Sequence, residues 1–194
     1  MKKLLFTLLF LTFGTAWGNA FEDGGAAYER KDYATAIKLW RPLAERGNRS
    51  VQNMLGAMYY EGTGVTQDYK EAVKWYRLAA EQGEASAQSN LGVMYGKGQG
   101  VLQDYKEAVK WYRLAAEQGE ASAQSNLGVM YGKGQGVLQD YARAHMWYNL
   151  ASAAGGSKYG TENRDTLAKK MTPQQIEKAQ DMARACQARN FKGC

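Results

Sequence analysis

The sequence predicts an all-α fold of stacked helix pairs, because a unit of thirty-six residues recurs along most of the chain. Residues 67–104 return without a mismatch as residues 103–140, and looser copies precede and follow them. Repeats of this length are typical of stacked architectures, since a single unit cannot bury its apolar face alone. Each unit carries two helical patterns joined by a glycine-rich turn, which favours one pair of helices per unit.

The second helix of each unit has the clearer signals. Asp68 is placed to accept hydrogen bonds from free backbone N–H groups at a helix start, and Glu71 completes an arrangement like a capping box. Gly83 stands where a left-handed C-terminal cap is expected. The predicted core face consists of Ala72, Trp75, Tyr76, Ala79 and Ala80. We assign this aromatic series and its copies to the core rather than to a ligand platform.

The first helix of the unit is predicted over about residues 84–95. Its core face consists of Ala87, Leu91 and Tyr95. Gly92 lies inside this pattern, where a glycine costs about 1 kcal/mol relative to alanine. The same glycine recurs as Gly56 and Gly128. A cost that is repeated in every copy predicts close backbone packing between the helices.

The repeated motifs resemble a known family. Leu-Gly-x-Met-Tyr at 91–95 is followed by Gly-x-Gly-Val at 98–101 and by Asp-Tyr-x-x-Ala-x-x-Trp-Tyr-x-x-Ala-Ala-x-x-Gly at 104–119. This order is similar to the Sel-one-like repeat, a subclass of the tetratricopeptide-like helical repeats, and the similarity covers residues 32–155. The resemblance implies a right-handed solenoid of antiparallel helix pairs with a concave face. It also implies a non-enzymatic adaptor or binding scaffold.

The N-terminal residues 1–20 have the layout of a secretory signal peptide. Two lysines precede an apolar run of ten residues at 4–13, and Gly18 and Ala20 offer alternative cleavage sites. The run is too short for a bilayer, which needs about 20 apolar residues. We therefore predict a bacterial protein that is periplasmic or secreted and has no stable membrane insertion after cleavage.

Three parts are predicted after the signal peptide. A degenerate repeat occupies 21–47, the regular array occupies 48–155, and a capping helix pair occupies 156–194. In the last part, Thr172 as N-cap, Pro173 at the first helical position and Gln175 at the third form a strong helix start.

The chain has only two cysteines, Cys186 and Cys194, and export favours their oxidation. Their Cys-x7-Cys spacing is similar to that of cysteine-rich secreted members of the family. The resemblance therefore implies a structural disulfide between them.

The charge distribution argues against a nucleic-acid partner. The formal net charge is +6, but residues 69–104 sum to zero, whereas residues 157–194 hold eight basic and four acidic side chains. The excess thus lies in the C-terminal tail and does not form the basic stripe along the array that is typical of a nucleic-acid binder.

No catalytic, metal-binding or cofactor-binding residues are predicted. The Gly-Lys-Gly-Gln-Gly stretch at 96–100 lacks the strand context and the Lys-Ser/Thr ending of a phosphate loop. The sole histidine, His145, takes the place of Val73 and Val109 in the other units, which favours a packed helix residue. Neither Ser-x-x-Lys nor Lys-Thr-Gly, the motifs of serine β-lactamases, is found.

The first helices are expected to hold a partner, because they line the concave face in tetratricopeptide-like stacks. Opposite their core residues lie small, neutral side chains with one lysine per unit. The predicted partner-binding residues are Asn53, Ser86, Asn90, Val93, Lys97, Ser122, Asn126, Val129 and Lys133, with Ser89 and Ser125 placed on the same face. The asparagines either bind the backbone of a peptide or bond within the stack, and the lysines favour acidic groups.

The favoured function is thus an exported scaffold that binds a protein or peptide. Two alternatives remain open. Some cysteine-rich relatives are labelled penicillin-interacting or β-lactamase-like envelope proteins, although the motifs for that chemistry are missing here. A secreted factor that meets a host protein is the other alternative, since duplication readily changes the length of an array.

Overall fold

The computed structural model describes residues 20–153 and 158–194, and every regular element within these ranges is a helix. The predicted signal peptide, except for Ala20, lies outside the described residues, as does the predicted boundary between 155 and 156. The helices are α1 (20–29), α2 (Tyr33–Glu45), α3 (Arg49–Glu61), α4 (Tyr69–Glu81), α5 (Ala85–Lys97), α6 (Tyr105–Ala116), α7 (Ala121–Lys133), α8 (Tyr141–Ala153), α9 (Lys158–Ala168) and α10 (Pro173–Ala188).

These helices form two compact units that divide after Gln82. Unit 1 contains α1–α4, and α3 packs there against both α2 and α4. Unit 2 contains α5–α10, in which α6 packs against α5 and α7, and α8 packs against α7, α9 and α10. Helices that are neighbours in sequence therefore pack together, as the repeat pattern predicts.

The start of α4 confirms the predicted cap at Asp68 and corrects the role of Glu71. Asp68 Oδ1 accepts hydrogen bonds from the backbone N–H groups of Lys70 (2.9 Å) and Glu71 (3.1 Å). The backbone N–H of Asp68 donates to the carbonyl of Tyr59 at 3.0 Å and not to the Glu71 carboxylate. The predicted capping box is therefore wrong, because the incoming turn already uses that donor. Glu71 pairs instead with Lys74 at 2.8 Å.

Two other predicted helix boundaries are confirmed. Gly83 follows the C-cap residue Gln82 and has a φ of +82°, the left-handed conformation that ends a helix. At the start of α10, the Thr172 hydroxyl accepts from Gln175 N–H at 3.2 Å, and the Gln175 side chain accepts from Thr172 N–H at 2.9 Å. With Pro173 at the first helical position, this is a complete capping box.

Each unit has a buried core built from the predicted helix faces. All five predicted core residues of α4 are buried. In α5, Ala87 and Leu91 are fully buried, and Tyr95 is half-buried against the core of unit 2. Among the aromatic copies, Trp147 is buried, whereas Trp111 is only half-buried. The pattern of apolar residues thus predicted most of the core.

The glycines inside the first helices permit the closest contacts between paired helices. An added Cβ at Gly92 would lie 2.6 Å from the Tyr112 ring, so only a residue without a side chain fits there. The same pairing recurs as Gly24 with Trp40, Gly56 with Tyr76, and Gly128 with Tyr148. The predicted close packing is therefore confirmed, and its partner is an aromatic ring of the second helix.

The glycine-rich turn between α7 and α8 packs against the start of α6. Gln139 Nε2 closes the turn by donating to the carbonyl of Gly132 at 2.9 Å. Gly136 has a φ of +71° and lies so close to α6 that an added Cβ would collide with the backbone carbonyl of Tyr105. The turn therefore fixes the stacking of one helix pair on the preceding one.

The predicted disulfide is confirmed by the geometry of the C-terminus. Cys186 and Cys194 have their sulfurs 2.06 Å apart and their Cα atoms 5.7 Å apart. Cys186 is fully buried, and Phe191, inside the ring that the bond closes, packs against the same core. The bond thereby fixes the chain end to unit 2.

His145 on α8 is more deeply buried than predicted, with 3% of its surface exposed. Its Nδ1 has no hydrogen-bond partner among the described residues. Burial lowers the pKa of His145 below its ordinary 6.5, the nearby Arg164 guanidinium lowers it further, and the Asp165 carboxylate opposes both. The imidazole is therefore held neutral within the packing of α8 and α9.

We expect His145→Val to flatten the pH dependence of stability below about pH 6.5. The lowered pKa means that the unfolded chain binds the proton more readily. The stability that neutral His145 maintains is complete above the unfolded-state pKa and is lost as the pH falls toward the folded-state pKa. Urea unfolding at about pH 7.5 and pH 5.5 measures the difference, with valine chosen because Val73 and Val109 occupy the equivalent positions. If the unaltered protein and His145→Val lost the same unfolding free energy between the two pH values, the expectation would be contradicted.

Candidate functional site

The predicted partner-binding residues of unit 2 lie on two adjacent first helices. α5 and α7 contact each other directly, and α7 also contacts α9. We define the first-helix face as Asn90, Val93 and Lys97 of α5 with Asn126, Val129 and Lys133 of α7. The lysines of this face are exposed, and its asparagines and valines are half-buried.

The remaining predicted residues lie around this face or outside unit 2. Ser122, at the start of α7, is exposed, and its copy Ser86 on α5 is half-buried. Asn53 is half-buried on α3, which belongs to unit 1. Eight of the nine predicted residues therefore lie on two neighbouring helices, and six of them form the repeated pattern of the first-helix face.

Two serines that the sequence places on this face are not available to a partner. Ser89 is 5% exposed and Ser125 is 8% exposed, so this part of the prediction is wrong. The physical reason is the position of a first helix within the stack. α7 packs against α5, α6, α8 and α9 together, which leaves only a narrow accessible stripe.

A cavity of about 300 Å³ adjoins the α7 part of the face. Val129, Gly132 and Lys133 of α7 line one side, and Tyr148 of α8 contributes an aromatic wall. The side formed by α9 and the residues that follow it is lined by Asn163, Thr166, Leu167 and Lys170. Sequence reasoning missed this side, because the segment departs from the thirty-six-residue period.

The cavity has an apolar floor and a basic rim. None of its lining residues is acidic. Among the described residues, neither Lys133 nor Lys170 forms an ion pair. Burial raises the pKa of Tyr148 to about 12. The site offers hydrogen bonds and positive charge to a ligand.

Glutamines that the sequence analysis did not single out form hydrogen bonds between neighbouring helices, and two of them, Gln52 and Gln88, are buried. In unit 1, Gln52 Nε2 donates to the carbonyl of Ala44 at 2.8 Å, and Gln82 Nε2 donates to Gln52 Oε1 at 2.7 Å. In unit 2, Gln118 Nε2 donates to Gln88 Oε1 at 2.8 Å. The bond from Gln52 joins α3 to α2 of the preceding pair, whereas the other two bonds link residues thirty apart within one helix pair.

Two further cavities lie among other helices. In unit 1, a cavity of about 560 Å³ is lined by α2, the start of α3 and α4, including Arg41, Trp75 and Leu78. In unit 2, a polar cavity of about 450 Å³ is lined by α8, α9 and α10, including Arg164 and Arg184. Both arginines of the polar cavity already pair with neighbouring aspartates, which makes this cavity a weaker candidate.

Within the described ranges, no group of three or more His, Cys, Asp or Glu side chains is placed to hold a metal ion. In the same part of the chain, no helix has the length and apolar character needed to cross a membrane.

Comparison with known proteins accounts for the repeated architecture. The family model described as Sel1 repeat matches residues 16–48, 50–84, 85–120 and 121–156. Proteins with this repeat are typically scaffolds for interactions with other proteins. A comparison with curated proteins gave no match.

Two solved structures are similar to most of this chain. A Sel1 repeat protein from Oxalobacter formigenes has a TM-score of 0.67 and 31% identity, covering 86% of this chain and 75% of that one. A protective antigen present in uropathogenic Escherichia coli strains, displaying an SLR fold, has a TM-score of 0.63 and 30% identity over 90% of this chain. This chain spans about half (47%) of the antigen's length. The predicted all-α repeat solenoid is confirmed, and the chain belongs to the Sel1 repeat family.

Proposed function

We propose that the protein is an exported scaffold that holds a segment of another protein along its first-helix face. One observation carries this proposal. The same asparagine, valine and lysine stand on two helices that contact each other, with both lysines exposed. The resemblance to tetratricopeptide-like solenoids, whose first helices line the concave face, supports this choice of side. Repeated identical patches suit the binding of an extended partner, whereas a single catalytic centre has no use for them.

Export is supported by the disulfide and by the N-terminal residues. A disulfide persists in the periplasm or outside the cell, where thiols are not kept reduced. The basic start and the short apolar run at 4–13 are typical of a signal peptide. The scaffold is therefore proposed to meet its partner in the periplasm or beyond it.

Photo-crosslinking tests where the partner binds. A photoreactive amino acid replaces Lys133 on the first-helix face, and a matched protein carries it in place of Lys110 on α6, whose side chain is 61% exposed. Irradiation in the native host is expected to give a covalent adduct from position 133 and none from position 110. Adducts from position 110 alone, or equally from both, would contradict a first-helix site.

A second candidate function is that of a surface or secreted factor that meets a host protein. The observation that favours it is the 30% identity to a protective antigen of uropathogenic E. coli. Fractionation of the native host distinguishes the two. Protein found in the culture supernatant or accessible to antibody on intact cells favours the host-directed role, whereas protein released only by opening the periplasm favours the envelope scaffold.

A further inference from the structure

We infer that the binding face continues from α7 onto α9 and that its ligand is an extended acidic segment of another protein. This inference rests on the proposed scaffold function and deepens it. Three segments of unit 2 share one spacing of side chains. An asparagine is followed three residues later by a β-branched residue and four residues after that by a lysine. The three sets, each called a rung, are Asn90–Val93–Lys97, Asn126–Val129–Lys133 and Asn163–Thr166–Lys170.

The third rung is not a copy of the repeat unit. It follows the second rung by thirty-seven residues, whereas the second follows the first by thirty-six, and the residues between its members are different. The structure nevertheless places it at the same cavity as the second rung. α7 contacts both α5 and α9. Asn163 and Thr166 of the third rung lie on α9, and Lys170 lies two residues beyond its end.

The second and third rungs also contribute to one cavity. Val129 and Lys133 lie on its α7 side, and Asn163, Thr166 and Lys170 lie opposite them. At about 300 Å³, the cavity is at the small end of ligand pockets and suits a few side chains of a longer segment. The α7 side thus presents a valine and a lysine to this cavity, and the α9 side presents an asparagine, a threonine and a lysine.

Charge selects the chemistry of the occupant. Lys133 and Lys170 are exposed at the rim, and neither pairs with a carboxylate among the described residues. No acidic side chain lines the cavity. A carboxylate on the partner supplies the missing charge at both lysines, and the asparagine amides supply donors and acceptors for its backbone.

The spacing of the rungs selects the conformation of the occupant. Packed helices lie about 8–10 Å apart. An extended polyproline-II segment advances about 3.1 Å per residue, so every third residue returns to the same side after roughly 9 Å. A segment with an acidic residue at every third position therefore meets one lysine per rung.

Two of the three lysines also have a structural use, which the experiment must separate from binding. Lys97 and Lys133 end their helices and complement the helix dipoles there. Loss of that effect changes stability, whereas loss of a ligand contact changes affinity. Each variant is therefore checked by circular dichroism and by its thermal midpoint before any binding measurement.

The test uses purified protein with its disulfide intact and fluorescein-labelled nine-residue peptides. One peptide carries glutamate at positions 1, 4 and 7 among alanine, valine and proline. Its isomer carries the three glutamates next to each other, and a third peptide carries lysine instead of glutamate. Fluorescence anisotropy is expected to rank the first peptide above the second by severalfold and to show no binding of the third.

Charge reversal at the rungs provides the matched comparison. The double variant Lys133→Glu with Lys170→Glu is expected to lower the affinity for the first peptide by roughly tenfold. The effect is limited because each exposed ion pair contributes little by itself. The control, Lys106→Glu with Lys178→Glu, changes the net charge equally at exposed positions of α6 and α10. It is expected to weaken binding by less than about twofold in physiological salt, where distant charges are screened.

Several results overturn the inference. Equal weakening by both double variants would show attraction by net charge alone. If Lys133→Gln lowered the affinity for the first peptide and Lys170→Gln did not, the third rung would not belong to the binding face. If a ten-nucleotide thymidine oligonucleotide or a second copy of this chain bound through the same lysines more tightly than the first peptide, the ligand would not be an acidic segment of another protein. If position 133 crosslinks to a protein but no peptide binds, the proposed scaffold function would hold and the proposed acidic ligand would be wrong.

Discussion

Gly92→Ala is expected to destabilise the protein by about 2 kcal/mol, because the added methyl group has no room. Its Cβ would lie 2.6 Å from the ring of Tyr112, which is itself 3% exposed. The ring is held inside the core and cannot move away without opening the α5–α6 contact. The better helix propensity of alanine, about 1 kcal/mol, offsets only part of the cost.

Gly96→Ala is the matched control, four residues further along α5. An added Cβ there meets its nearest neighbour, the Tyr112 hydroxyl oxygen, at 3.7 Å, which is ordinary van der Waals contact. This variant is expected to keep or slightly raise the stability. Urea unfolding followed by circular dichroism measures both chains. A Gly92→Ala protein as stable as Gly96→Ala would show that the helix pair adjusts freely at this contact.

Gly136→Ala is expected to cost about 3 kcal/mol or more, combining overpacking with a left-handed backbone. The φ of +71° at Gly136 is one that a residue with a side chain adopts at a cost of about 1–2 kcal/mol. In addition, the new Cβ would collide with the backbone carbonyl of Tyr105. A backbone atom in the first turn of α6 cannot rotate away as a side chain can, so the turn between α7 and α8 must move off the preceding pair.

The control for the left-handed conformation alone is Gly83→Ala. Gly83 has a φ of +82°, and an added Cβ there would have no heavy atom within 4 Å. Its expected cost is therefore the conformational one, about 1 kcal/mol. Thermal unfolding of the two variants separates the cost of the left-handed backbone from the cost of the collision with the Tyr105 carbonyl. A Gly136→Ala midpoint equal to that of Gly83→Ala would mean that the carbonyl contact contributes nothing to stacking.

Both pairs of variants also bear on binding. The first-helix face depends on the contact between α5 and α7, and the glycines set how closely each helix approaches its neighbours. Gly136→Ala is expected to disturb the alignment of rungs more than Gly92→Ala, since it acts between helix pairs rather than within one. Photo-crosslinking from position 133 in each background provides the readout.

The sequence by itself determined the local structure of this protein. Asp68 and Thr172 were recognisable as caps because a cap depends on residues within one turn of it. The core faces were recognisable because apolar residues three and four positions apart share one side of a helix. The half-buried position of Trp111 shows the limit of such patterns, since its copies Trp75 and Trp147 carry the same local signal but are buried.

Only the tertiary structure decided which polar residues remain accessible. Ser89 and Asn90 are adjacent in sequence, but the packing of neighbouring helices buries Ser89 and leaves Asn90 half-buried. The Glu71 carboxylate was displaced from its predicted bond because the turn brings the Tyr59 carbonyl to the same donor. The inferred continuation of the binding face onto α9 depends on the cavity that α7 and α9 line together. In each case the deciding contact comes from a residue that is distant in sequence, and periodicity within one helix carries no information about it.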